Sequence, residues 1–246
     1  VLVVPAAGRG SRLHAALPKV LVAVNGRPML DWLLDLYRDV VERTIVVVHP
    51  SFAEQVRAHG EEVGVRFTCE VQVEPTGMLD AILLAQRSVG ASEATRVIVT
   101  WCDQIAIHPR TVARLTALSD ATAAAIVMPT SQQPDPYIHL ERDTAGRIVG
   151  VLHRREGDRL PAVGESDMGL FDLSRETFLD ALPRFAVSAG AGGATGERNF
   201  LPFIPWAAAR SEVVTFPCLD AMEALGVNTP DDLRRVERYL AERQVV

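Results

Sequence analysis

Three observations on this 246-residue chain predict an α/β fold: a Rossmann-like three-layer αβα sandwich with a mostly parallel, mixed central sheet. The first is the opening run Val1 to Val4, apolar throughout, as in a strand covered on both faces. The second is the alternation of strand-like and helix-like segments through the first half. The third is a change of character after residue 120, where strands follow one another with fewer helices between them.

Taken in order, a Gly-rich loop follows the first strand. Pro28 then starts a helix, with Met29, Leu30, Leu33, Leu34, Tyr37 and Val41 at helical spacing. Thr44 to His49 is the next strand and Phe52 to His59 the next helix. Phe67 to Val73 gives a third strand, Leu79 to Arg87 a third helix, and Arg96 to Trp101 a fourth strand. Units of this kind connect by right-handed crossovers and bind ligands at the carboxyl ends of the strands. In the second half, Ala123 to Met128, Tyr137 to Glu141, Ile148 to His153 and Met168 to Leu173 are strand-like, and we read them as an extension of the sheet. The stretch Gly190 to Gly196 (GAGGATG) reads as a mobile loop. Thr229-Pro230-Asp231-Asp232 carries an N-cap, a proline at N1 and acidic residues at the positive helix end. Leu233, Val236 and Leu240 follow on one face. With no repeats and no Pro/Ser-rich linker, residues 1–246 read as a single domain.

Apolar residues make up 48% of the chain, enough for a sizeable core, and the formal charge is -6 without a dense Lys/Arg block. That balance argues against nucleic acid as the main partner, although a small phosphate pocket needs only two or three cations. Cys69, Cys102 and Cys218 are isolated and form no CxxC pair, as in a reducing compartment. No signal peptide precedes the first strand, and no apolar run approaches the roughly 20 residues of a membrane span. The expectation is a cytoplasmic protein without a membrane partner. Its oligomeric state is left open.

The segment Pro5-Ala6-Ala7-Gly8-Arg9-Gly10-Ser11-Arg12-Leu13, followed by Leu17-Pro18-Lys19, carries most of the chemical information. A Gly-rich turn directly after a buried strand lets backbone N–H groups approach phosphate oxygens. Arg12 and Lys19 then supply positive charge. The spacing is neither that of the Walker loop nor GxGxxG. Asp103 follows the fourth strand at the edge where metals and ligands collect, although an Asp there is also a common turn former. Asn228, in Gly226-Val227-Asn228-Thr229-Pro230, is explained equally by a strand-to-helix turn. Gln72 is a strand residue whose amide could offer both a donor and an acceptor.

Taken together, AAGRGSRL…LPKVLVAVNGRPML resembles the signature of the sugar-phosphate nucleotidyltransferases, nearest to the domain that uridylylates N-acetylglucosamine 1-phosphate. The resemblance implies that Arg12 and Lys19 hold the triphosphate, that the Ala6, Ala7, Gly8, Arg9 and Gly10 backbone cradles the nucleotide, and that Asp103 and Asn228 hold Mg2+. It places Gln72, Gly77 and Met78 against the base; Gln72 suits a pyrimidine, UTP first, while Met78 stands where the family has Thr. For the acceptor it implies Tyr137, His153, Glu165, Asp167, Gly169, Glu197 and Asn199. Several of these depart from the family: Ile138 replaces a Gly, His153 a Glu and Asp167 an Asn. Arg154 and Arg155 suit either an acceptor phosphate or a solvated turn. Residues 1–120 then form the mainly nucleotide-binding half and 121–246 the mainly acceptor-binding half.

The implied reaction joins an NTP to a sugar 1-phosphate and releases pyrophosphate, with no general base because a phosphate dianion is already a nucleophile. The departures keep open a cyclitol, polyol or alcohol phosphate as acceptor. A noncatalytic nucleotide-binding subunit is the other alternative. A glycosyltransferase would call for Asp-x-Asp where this chain has Asp103-Gln104-Ile105.

Overall fold

The computed structural model describes residues 1–8 and 17–244, which form twelve strands and eight α-helices. In chain order these are β1 (Leu2–Ala6), β2 (Ala23–Val24), β3 (Arg27–Pro28), α1 (Met29–Tyr37), β4 (Thr44–Val48), α2 (Ala53–Glu62), β5 (Thr68–Val71), α3 (Met78–Leu83), α4 (Gln86–Gly90) and β6 (Arg96–Thr100). There follow α5 (Pro109–Ala121), β7 (Ile126–Pro134), β8 (Ile138–Arg142), β9 (Ile148–His153), β10 (Val163–Asp167), β11 (Leu170–Ser174), α6 (Leu182–Ser188), α7 (Phe203–Ala208), β12 (Val213–Pro217) and α8 (Pro230–Gln244).

The main sheet runs β5–β4–β1–β6–β11–β7, and β7 also pairs with β10 and, in parallel, with β12. Only β10 and β11 run against the other six strands, so the sheet is mixed but mostly parallel, as the sequence predicts. The alternation of side chains along a strand divides the core in two. Leu2 and Val4 of β1 pack with α1, α2, α5 and α8, whereas Val3 packs with α3, α4, α6 and α7. The sheet is thus the middle of three layers. Its apolar strands are buried on both faces, which explains why they show no polar alternation.

Several local outcomes differ from the sequence reading. The third helix is interrupted after Leu83 and resumes as α4 at Gln86. Strands β8 and β9 do not join the main sheet; they pair only with each other, with an irregularity between Glu141 and Arg142. Arg142 ties this hairpin to β10 through a two-pronged bond to Glu165, with both N–O distances 2.6 Å. Residues 192–196 are tied rather than free. Glu156 accepts from the backbone N–H groups of Ala194 and Thr195 and from the Thr195 hydroxyl.

Beta1 has β4 on one side and β6 on the other, so successive crossovers leave it in opposite directions. A crevice outside the carboxyl ends of the strands forms where that happens. The antiparallel β11 begins at the same edge, with Leu170 opposite Thr100.

Candidate active site

A cleft of about 1170 Å³ opens at this edge. It is lined by Pro5 of β1 and Gly8 beyond it, by residues 101–104 after β6, by Ser166, Asp167 and Gly169 at the corner from β10 to β11, and by parts of segments 195–201 and 224–232.

Within it Lys19, Asp103 and Asn228 meet. Lys19 sits on a 3-10 turn held in place by buried Val20 and Leu21. Its ammonium donates to Asp103 Oδ2 and, at 2.9 Å, to Asn228 Oδ1. Asn228 is positioned by the start of α8. The Asp232 carboxylate accepts from the N–H groups of Asn228 and Thr229, and the Thr229 hydroxyl accepts from Asp232 N–H. Thr229 is therefore the N-cap that its sequence predicts. Val227 N–H donates to the Asp103 carbonyl at 3.2 Å, which ties the two segments together. Gly226 makes that approach possible, because a β-carbon there would lie 3.1 Å from Asp103 Oδ2 and 3.2 Å from Asn228 Nδ2.

Tyr137, just before β8, and His153, at the end of β9, also line the cleft, with their rings edge to face at 5.3 Å. Asn199 Nδ2 lies 2.9 Å from His153 Nδ1, and Asn199 Oδ1 accepts from Leu201 N–H at 3.0 Å. Asp167 is buried, and Gly169 N–H donates to its Oδ2 at 2.8 Å. The positive φ of Gly169 makes this corner, where a β-carbon would lie 2.2 Å from the Trp101 ring.

Burial pushes the Asp167 carboxyl up to about 6, against which the Gly169 N–H works only partly. Its folded value thus lies above its unfolded one, so the native state takes up the proton first and stability rises as pH falls from about 7 to about 4. Asp167→Asn keeps an oxygen for Gly169 and removes the buried charge. We expect it to stabilise the fold at pH 7 by up to about 3 kcal/mol, with the gain gone near pH 4. Urea unfolding of both proteins at the two pH values measures this; an unchanged or lower stability at pH 7 would contradict it.

The sequence-derived residues fall into three groups. Gly8, Lys19, Met78, Asp103, Tyr137, His153, Asp167, Gly169, Glu197, Asn199 and Asn228 all line the cleft. Ala6, Ala7, Gln72, Gly77 and Glu165 do not line it. Ala6 ends β1 inside the core. The Gln72 amide nitrogen donates to the Gly77 carbonyl at 3.0 Å, which holds the 72–77 loop closed. Glu165 is occupied by Arg142. Arg9, Gly10 and Arg12 lie outside the described residues.

The structure adds lining residues to which the sequence gave no role: Trp101, Glu156, Arg198 and Asp232. Arg198 carried a signal through its place beside Glu197 and Asn199, and Asp232 was read only as part of the helix start at Thr229. Of the two arginines left open, Arg154 pairs with Asp135, whereas Arg155 lines the cleft beside Glu197 at 3.6 Å.

Comparison with known proteins supplies the family. The family model of the MobA-like NTP transferase domain matches residues 2–177. The bifunctional protein GlmU of Maricaulis maris is 32% identical over 245 residues, which are 98% of this chain and 52% of that protein. The GlmU of Acidithiobacillus ferrooxidans is 29% identical over 246 residues, 99% of this chain and 52% of its own. The chain thus spans about half the length of these curated relatives. Among solved structures, a Bacillus anthracis protein described as a glucose-1-phosphate thymidylyltransferase matches with a TM-score of 0.76 at 17% identity, over 96% of this chain and 93% of that one. The inositol-1-phosphate CTP transferase of T. maritima matches with a TM-score of 0.71 at 16% identity, over 98% and 94%. These two likenesses show a shared fold. With the family model covering more than half of the chain, the resemblance to the nucleotidyltransferases holds, and the chain belongs to the MobA-like NTP transferase domain family.

Proposed function

We propose that the chain transfers the nucleotidyl group of an NTP, UTP first, to the phosphate of a sugar 1-phosphate and releases pyrophosphate. The convergence of Lys19, Asp103 and Asn228 at the switch-point edge of the sheet carries this reading. It joins one cation and two oxygen donors in the cleft that Gly8 also lines, the equipment needed where phosphate charge is rearranged.

The family implies Mg2+, and the donor set fits it. The Asp103 carboxylate and the Asn228 amide oxygen are hard donors, and both already face a cation in the Lys19 ammonium. Among the described residues no group of three His, Cys, Asp or Glu side chains could hold a metal. One carboxylate and one amide nevertheless suffice for an ion that completes its octahedron with phosphates and water. When bound, Mg2+ would neutralise charge on the transferring phosphate and align it. Lys19, released from Asp103, can then meet the departing pyrophosphate, whose charge it stabilises in the transition state. The acceptor phosphate supplies its own nucleophilic oxygen, so alignment and charge neutralisation carry the rate.

Acceptor recognition falls to other residues of the cleft. Tyr137 is 45% exposed and offers a ring face for packing on a sugar. Asp167, when ionised, accepts hydrogen bonds and cannot donate them. It therefore suits hydroxyl groups better than the carbonyl of an acetamido substituent. That observation favours a hydroxyl-only acceptor, either a sugar such as glucose 1-phosphate or, as a second reading, a cyclitol phosphate taken through the same chemistry. The partners required are the NTP and the phosphorylated acceptor, both cytoplasmic compounds. No described helix is long and apolar enough to cross a membrane.

A pyrophosphate-release screen tests the proposal, crossing UTP, CTP, dTTP, ATP and GTP with glucose 1-phosphate, N-acetylglucosamine 1-phosphate and inositol 1-phosphate. The expected result is Mg2+-dependent release with UTP and a sugar 1-phosphate. Preference for inositol 1-phosphate would select the second reading. Nucleotide binding without release from any pair would instead indicate a regulatory binding subunit.

A further inference from the structure

Asn199 and His153 come from distant parts of the chain, the segment before α7 and the end of β9, and meet in the cleft. The orientation of the Asn199 amide is settled by a third group. Leu201 N–H donates to Asn199 Oδ1 at 3.0 Å, so that atom must be the oxygen and the amide NH2 must face His153 Nδ1. A donor there makes Nδ1 an acceptor, which leaves the imidazole proton on Nε2. Backbone, amide and imidazole form a one-way chain of donors.

We propose that Asn199 is a positioning residue that locks His153 as a neutral Nε2–H donor, and that His153 uses this proton to read an oxygen of the acceptor. The proposal deepens the acceptor reading above and rests on it. A fixed donor at His153 and a fixed acceptor at Asp167 stand in one cleft. Such a pair suits a polyhydroxylated ring, since each hydroxyl can both accept and donate. Tyr137 supports the His153 ring edge-on and limits its rotation.

The arrangement has a built-in acid limit. A second imidazole proton would sit on Nδ1 and face the Asn199 NH2 directly. The amide would have to turn over, losing its bond from Leu201 N–H. The charged and titratable groups around the ring are Arg155, Glu156 and Asp158 on its own segment, Glu197 on the facing loop, and Tyr137. Burial is the largest influence and lowers the His153 pKa, which the carboxylates oppose and Arg155 assists. The ring therefore stays neutral at pH 7, and its protonation should weaken acceptor binding only below the ordinary histidine range, separately from the loss of the Asp167 charge near pH 6.

Asn199→Asp tests the lock. A carboxylate keeps an oxygen for Leu201 N–H and presents its other oxygen to Nδ1, so the proton moves to Nδ1 and the imidazolium is stabilised. Histidine side-chain 15N spectra, assigned with His153→Gln, should show Nε2–H in the wild type and Nδ1–H or a cation in Asn199→Asp. With the best of glucose 1-phosphate, N-acetylglucosamine 1-phosphate and inositol 1-phosphate, the acceptor KM should rise at least ~10-fold in the variant, by analogy with lost outer-shell partners elsewhere. The nucleotide KM should stay unchanged and kcat should fall less than the acceptor KM rises. The acid limb of the acceptor KM should also move to higher pH. A wild-type Nδ1–H tautomer, or a switched tautomer with an unchanged acceptor KM, would overturn the proposal while leaving nucleotidyl transfer standing. No turnover of the three acceptors, together with no acceptor-induced shift at His153, would remove both.

Discussion

Lys19→Ala and Asp103→Asn should each lower turnover at least ~100-fold, as expected when a positioned charge is removed from a transition state, where one lost donor costs about 2.7–4 kcal/mol. The two variants should differ in how they respond to metal. Without Lys19, the Asp103 carboxylate, 11% exposed, is left unpaired beside Asn228. Breaking a buried ion pair in this way costs at most about 3–5 kcal/mol of stability, and less at a site that opens onto a cleft. A divalent cation can fill the vacancy, since the two oxygens that held the ammonium remain. Melting temperature in Lys19→Ala should therefore drop without Mg2+ and recover with it, while turnover stays low. Asp103→Asn removes the charged ligand, so added Mg2+ should restore little of its activity and produce little thermal shift. Calorimetric melts with and without Mg2+, run beside initial rates, separate the roles. Near-normal turnover in either folded variant would remove the assignment of charge stabilisation to this cluster.

The layered fold was legible because its determinants are local. Residues 2–4, 45–48 and 97–99 are continuous apolar runs, and the structure buries each between the two layers of helices. The start of α8 could be read because Thr229, Pro230 and Asp232 act on their own backbone. Asn25-Gly26 went unread although it is equally local: both residues have positive φ and close the β2–β3 hairpin, as such a pair does in a two-residue turn. The site was legible only as an ordered set of motifs. Lys19, Asp103 and Asn228 are separated by 84 and 125 positions, and only the crossovers of the sheet bring them within hydrogen-bonding distance. The Asn199–His153 lock was not readable at all. Its content lies in the direction of one amide, which Leu201 sets and no spacing encodes. Glu165 is the reverse case: its motif matched, and the structure pairs its carboxylate with Arg142 of the neighbouring hairpin, 23 positions away, outside the cleft lining.

Gly77→Ala should be the most damaging glycine-to-alanine change among the described residues, and its cause separates a structural role from a nucleotide-binding one. Gly77 has φ 124° and ψ 178°, a conformation essentially restricted to glycine. A β-carbon there would lie 2.4 Å from both the backbone nitrogen and the carbonyl oxygen of Arg198, neither of which can swing aside as a side chain could. Around this point Arg198 N–H donates to the Thr76 carbonyl at 2.7 Å and Leu79 N–H donates to the Arg198 carbonyl at 3.0 Å. Placing alanine at Gly77 costs about 1–3 kcal/mol in backbone strain and, if both bonds break, about 0.5–1.5 kcal/mol for each. The sum, roughly 2–6 kcal/mol, corresponds to a fall in melting temperature of roughly 5–20 °C for a chain of this size. Met78 and Asn199, which line the cleft and to which we assign the nucleotide and the acceptor, flank the broken contact, so the KM values for both reactants should rise together in the protein that remains folded. A variant that keeps its melting temperature and loses only nucleotide affinity would show that Gly77 serves the base directly, and that its packing against Arg198 is incidental.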